Sequence, residues 1–192
     1  MNSDPAHAPA IESANQLMQR IRARLLPDGA PFEPASEKPT TALAAGVPGT
    51  TVRFGIGQAA NRWLVSGWSH PEQSQVWSEG HRAEMHIPAL AERVDLLLSF
   101  RLEPFCFGPV RSQMIRLVSS GRTMAVWELS GETEATVLLA ASKDSAPTVL
   151  VWDLPDAISP REVGCNADTR QLGVALHAVS IFGLPQLLAP NA

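Results

Sequence analysis

Residues 94–103 read VDLLLSFRLE. Val94, Leu96, Leu98, Phe100 and Leu102 occupy the even positions; Asp95, Ser99, Arg101 and Glu103 occupy odd ones. Successive side chains of an extended chain point to opposite faces, so this segment predicts a strand with its even residues in a core and its charges in water. The stretch HRAEMHIP repeats the pattern, with Ala83, Met85 and Ile87 alternating with Arg82, Glu84 and His86. QMIRLV and TMAVWEL flank Ser119-Ser120-Gly121-Arg122, which reads as a hairpin with a Gly-containing loop. TEATVLLA, TVLVWDL and LGVALHAVSIF continue the series, and TTVRFGI and NRWLV begin it. Short period-two segments separated by turn signals, with no helical stretch between them, predict an all-β fold: an antiparallel β-sandwich, jelly-roll-like in topology. The expected core includes Met85, Leu96, Leu98, Phe100, Val149 and Val151.

Before residue 50 the pattern differs. Ile11, Ala14, Met18, Ile21 and Leu25 recur at 3-4-3-4 spacing, which predicts a short N-terminal helix over 10–26 that ends at Pro27. Two heptads are too short to be stable alone, so this helix needs its own body, a second copy or a partner to dock on. Pro27, Pro31, Pro34, Pro39 and Pro48 make the following stretch a semi-extended Pro-rich linker. The expected organisation is an arm over 1–26, a linker over 27–49, a sandwich domain over 50–184 and a tail over 185–192.

Composition narrows the function. A hydrophobic content of 45% supplies a core, and a net charge of −4 with scattered arginines gives no basic footprint for nucleic acid. No apolar run approaches the roughly 20 residues of a membrane-spanning helix, so no membrane insertion is expected. The first residues carry acids and no apolar segment, which points to a cytoplasmic chain. Cys106 and Cys165 fit neither a redox pair nor a zinc knuckle and are expected as buried free thiols.

Several motifs are incomplete. Gly55–Ala60 has the letters of a dinucleotide loop, but a strand-like NRWLV follows where a helix would have to start. His70-Pro71-Glu72 lacks the cysteine half of a zinc deaminase, and the odd spacing of His81 and His86 puts them on opposite faces of a strand. Neither a metal nor another cofactor is expected. Ser78 near His81 invites a hydrolase reading, yet the first Gly of a nucleophile elbow is missing. Glu72 and Glu79 imitate a glycosidase pair in type only.

Two segments carry the functional reading. In GWSHPEQSQVWSEG, Trp68 and Trp77 bracket a loop with His70 and Glu72, and Glu79 follows. Aromatic faces stack on the C–H surfaces of sugars while carboxylates and amides take the hydroxyls; the alternative is that both tryptophans plug the end of the sandwich. In SPREVGCNADTRQLGVAL, Asp168 and Arg170 stand at a loop-to-strand junction and can pair with each other, or Arg170 with Glu79. They serve either as a loop-pinning bridge or as ligand contacts.

Together, "GWS-x-P-E…W-S-E-G" and, some ninety residues on, "S-P-x-E-x-G-x-x-x-D-T-R-x-L-G" resemble a bacterial β-sandwich domain of unknown function. That domain accompanies glycosyltransferases and phosphoglycerol-type transferases of surface-polysaccharide assembly, and the likeness spans about Asn61 to Phe182. The resemblance implies a sandwich and an association with glycans or with a glycosyltransferase-type partner, not a reaction. The expectation is a non-catalytic accessory or carbohydrate-binding module, with helix 10–26 as a docking or self-association element. Its rivals are a glycan-modifying enzyme and a purely structural oligomerisation subunit.

Overall fold

The computed structural model describes residues 49–89, 94–141 and 146–184. The backbone divides into two units, Met1–Lys38 and Pro39–Ala192, and the described residues belong to the second. The helix expected over 10–26 and most of the linker lie outside them.

The described chain is all-β. Its strands are β1 (Thr50–Arg53), β2 (Leu64–Ser66), β3 (Val76–Glu79), β4 (Arg82–Ile87), β5 (Asp95–Pro104), β6 (Gln113–Ser119), β7 (Arg122–Leu129), β8 (Thr133–Leu139), β9 (Thr148–Asp153) and β10 (Leu172–Leu184). All pair antiparallel. One sheet runs β1-β10-β5-β8, with β3 also on β10; the other runs β2-β4-β9-β6-β7. Every connection except the β6–β7 hairpin crosses from one sheet to the other. That hairpin closes through Ser120 and Gly121, both at positive φ, and Ser119 pairs with Arg122 as the sequence requires.

The core lies between the sheets. Met85 and Ile87 of β4, Leu98, Phe100 and Leu102 of β5, Ile115 and Leu117 of β6, and Leu150 and Trp152 of β9 are fully buried. Burying each such side chain contributes about 1.5–3 kcal/mol. The alternation in β4 and β5 is therefore read correctly. In β9 it is read out of phase: Leu150, Trp152 and Leu154 face inward, whereas Val149 is exposed and Val151 half-buried. Four consecutive apolar residues hide the phase, but Asp153 shares the face of Val149 and Val151. It bonds Arg116 on the outer side, so that face must be the wet one.

Two further segments differ from expectation. Ala59–Trp63 forms a short 3-10 helix, so of NRWLV only Leu64 and Val65 are strand. Val76–Glu79, not among the expected strands, is a strand because β10 supplies its ladder from some ninety residues away. Val76 and Ser78 face inward, while Trp77 and Glu79 face outward. Along β10 the inward set moves from Val174 and Leu176 to Val179 and Ile181, because a bulge near His177 shifts the register against β5. Cys165 is exposed and Cys106 half-buried, contrary to the buried thiols expected.

Candidate functional site

The GWS and WSEG ends of the first motif form one small hairpin. Glu79 N–H donates to the Gly67 carbonyl, Ser69 N–H to Trp77, and Glu72 N–H to Gln75; Trp68 stands opposite Ser78. Gly67 is required here. Its φ is 72°, and a Cβ would lie 2.1 Å from the Arg82 carbonyl oxygen.

The second motif builds a loop. Ser159 and Glu162 bond reciprocally: the Ser159 N–H and Oγ–H donate to Oε2 of Glu162, whose N–H donates back to Ser159 Oγ. These bonds, the backbone one first, hold the Glu162 carboxyl below its ordinary range. Asp168 Oδ1 accepts from the Arg170 N–H at 2.9 Å, and Oδ2 accepts from Arg170 Nη2 at 2.6 Å. The guanidinium's hydrogen bonds lower the pKa of Asp168, and the same bonds chiefly raise that of Arg170.

The two motifs meet. Arg170 Nη2 lies 3.6 Å from Glu72 Oε1, and Gly80 N–H donates to the Gln171 carbonyl. Buried Ser78 accepts at Oγ from the N–H groups of Gly173 and Val174, at 3.3 and 2.9 Å. Residues separated by ninety positions thus form one structural unit at the start of β10. Arg170 pairs with Asp168 and Glu72 rather than Glu79.

The seven candidate residues go to different places. Glu72, Asp168 and Arg170 form the inter-loop cluster, and His70 is exposed on the hairpin. Trp68 takes the packing alternative. Its indole packs edge-on to Trp152 at 5.8 Å and donates Nε1–H to the Glu84 carbonyl at 2.9 Å, so it belongs to the core margin. Trp77 turns outward onto the solvent face of the first sheet and meets Phe105 edge-to-face at 6.2 Å. Glu79 is exposed on the same side.

Phe105 was missed by sequence reasoning. The parity that sends Asp95, Arg101 and Glu103 outward in VDLLLSFRLE reaches Phe105 two residues later. Around Ala175, the outward positions are Trp77 and Glu79 on β3, Glu103 on β5 and Phe105 just beyond it. The register fixes this: Ala175 pairs with Trp77 on one side and Glu103 on the other, Leu172 pairs with Glu79, and Phe105 N–H donates to the Gly173 carbonyl. The aromatics lie on one diagonal and the carboxylates on the other. His177 Nε2 lies 3.3 Å from Glu103 Oε2.

The residues that suggested chemistry have other partners. Ser78 Oγ is held by β10, His81 Nδ1 by the Leu154 carbonyl, and His86 by Glu84. Among the described residues, no three His, Cys, Asp or Glu side chains are grouped to hold a metal, and no helix is long and apolar enough to cross a membrane.

No protein-family model and no curated protein matches the chain. Solved structures similar to it include a carbohydrate-binding module, CBM36, in complex with calcium and xylotriose, at 13% identity and a TM-score of 0.37, covering 69% of this chain and 98% of the other. The C-terminal CBM6 of a marine laminarinase from Zobellia galactanivorans matches at 11% identity and a TM-score of 0.40, over 69% and 99%. A CBM35 from Paenibacillus barcinonensis matches at 12% and 0.39, over 70% and 99%.

Proposed function

We propose that this chain is a non-catalytic carbohydrate-binding module whose binding face is the outer surface of the first sheet around Trp77. One observation carries the reading: Trp77 and Phe105 form a partly exposed aromatic pair on the outer face of the first sheet, outside the core, with Glu79 and Glu103 beside it. Large apolar rings gain from leaving water, and a ring fixed by an edge-to-face neighbour offers a rigid surface at low entropic cost. Sugars present a C–H face to stack on such a ring and hydroxyls for the carboxylates beside it. Glu72, Asp168 and Arg170 hold the adjoining loops in place. Service as an accessory subunit of a polysaccharide-synthesis system belongs to the same proposal. The motif pair supports it, and neighbouring genes devoid of glycan functions would count against it.

Affinity electrophoresis of the full chain through soluble arabinoxylan, galactomannan and mixed-linkage β-glucan tests the reading. The wild type is retarded by at least one polymer, and Trp77→Ala abolishes the retardation while costing about 1 kcal/mol or less of stability, as befits a partly exposed ring. Retardation that survives Trp77→Ala, or a wild type that no polymer retards, overturns it.

A further inference from the structure

We infer that Glu103 is a ligand-binding residue of this face and that, with Glu79, it selects neutral glycans over anionic ones. The inference rests on the carbohydrate-binding reading and extends it to a residue and a ligand class.

Glu103 stands in the same cross-strand row as Trp77, with Ala175 between them. Neighbouring strands are about 4.8 Å apart, so the backbones of Trp77 and Glu103 stand roughly 10 Å from one another with their side chains on one face. That is the scale of a single sugar ring and its hydroxyls. The Glu103 side chain is 46% exposed, so its carboxylate is open to a ligand, and its Oε2 is flanked by His177, whose side chain is 15% exposed. Glu79 is exposed on the same face, paired with Leu172, so a sugar over the aromatic pair has a carboxylate on either side of it.

Charge decides the class. Ionised carboxylates only accept hydrogen bonds, which suits hydroxyl donors and repels the carboxylates or sulfates of acidic glycans. Arg170, two residues before β10, does not reverse this. Its guanidinium is engaged by Asp168 at 2.6 Å and approached by Glu72 at 3.6 Å. His177 lies against Glu103, Arg101 is paired with Glu132, and Arg53, exposed on β1 beside Ala178, lies outside the Trp77–Ala175–Glu103 row.

The test uses the full chain in the same three neutral polymers, with polygalacturonate as the anionic counterpart. The expected result is retardation by a neutral polymer and none by polygalacturonate. Glu103→Gln weakens the neutral interaction about tenfold, the value of a hydrogen bond to a charged acceptor, without moving the melting temperature. Retardation by polygalacturonate as strong as by the best neutral polymer overturns the inference. So does a Glu103→Gln protein that binds like wild type while Trp77→Ala does not bind, and in that case the aromatic platform stands. If Trp77→Ala binds as well as wild type, the platform reading itself falls.

Discussion

Trp68 and Trp77 lie on the two arms of one hairpin, nine residues apart, and serve opposite faces of it. Trp68 stands opposite Ser78, and residues opposite one another in an antiparallel pair share a face. Ser78 is buried, so Trp68 turns inward with it, to an aromatic cluster of Trp152, Phe100 and Trp127. Trp77 precedes Ser78 by one position and therefore turns outward, where Phe105 is its ring partner. The two regions have the same chemistry and contrasting environments. An aromatic ring is read as core or as ligand surface by the parity of its strand, not by its type.

The largest effect expected lies in the inner cluster. Phe100 is fully buried and meets Trp152 at 5.0 Å, so Phe100→Ala should destabilise by about 3–5 kcal/mol in a urea melt. Trp68→Ala, at the margin of that cluster, should cost less than Phe100→Ala and clearly more than Trp77→Ala. If the two tryptophans cost the same, the division into interior and surface rings is broken.

Ser78→Ala sharpens the comparison, because Ser78 joins the hairpin to β10. The substitution removes the acceptor of two buried N–H groups and should cost about 1–3 kcal/mol in the same melt. A cost under about 0.5 kcal/mol would show that the register shift between Leu172 and Ala175 in the β3–β10 ladder needs no side-chain acceptor.

The smallest effect expected is that of the loop bridge. Arg170 and Asp168 are about a third and a quarter exposed, so Arg170→Ala should cost about 1 kcal/mol, less than a fully buried pair would imply. Asp168 also carries a pH dependence. Its folded carboxyl is held below the ordinary value, so the unfolded state binds the proton more readily, and stability rises with pH across that window. The contribution is complete above about pH 4, the ordinary aspartate value, and is lost as pH falls through the lower folded value. Urea midpoints at pH 7, 4 and 3 should therefore fall more steeply for wild type than for Asp168→Asn. Parallel curves would mean that the pair does not hold the loop.

The legibility of the site follows the same division. The Asp168–Arg170 pair was readable because two residues of separation let an aspartate bond the backbone and side chain just ahead of it. The contact of Arg170 with Glu72 was not, since nothing in either loop fixes which carboxylate comes within reach. Phe105 was readable in principle from the parity of β5 and was passed over because the run of alternation stops at Pro104.

By itself the sequence determined the strands whose alternation includes charges. In β4 and β5, Arg82, Glu84, Arg101 and Glu103 can lie only on the wet side, because an unpaired charge is too costly to bury. It also determined the β6–β7 turn, since Gly121 adopts without cost the positive φ that the turn demands there. Tertiary structure alone decided the phase of β9, the existence of β3, the inward turn of Trp68 and the checkerboard around Ala175. Each of these depends on which strand lies alongside, and pairing between segments ninety residues apart is set by the global packing of two sheets, which local periodicity does not encode.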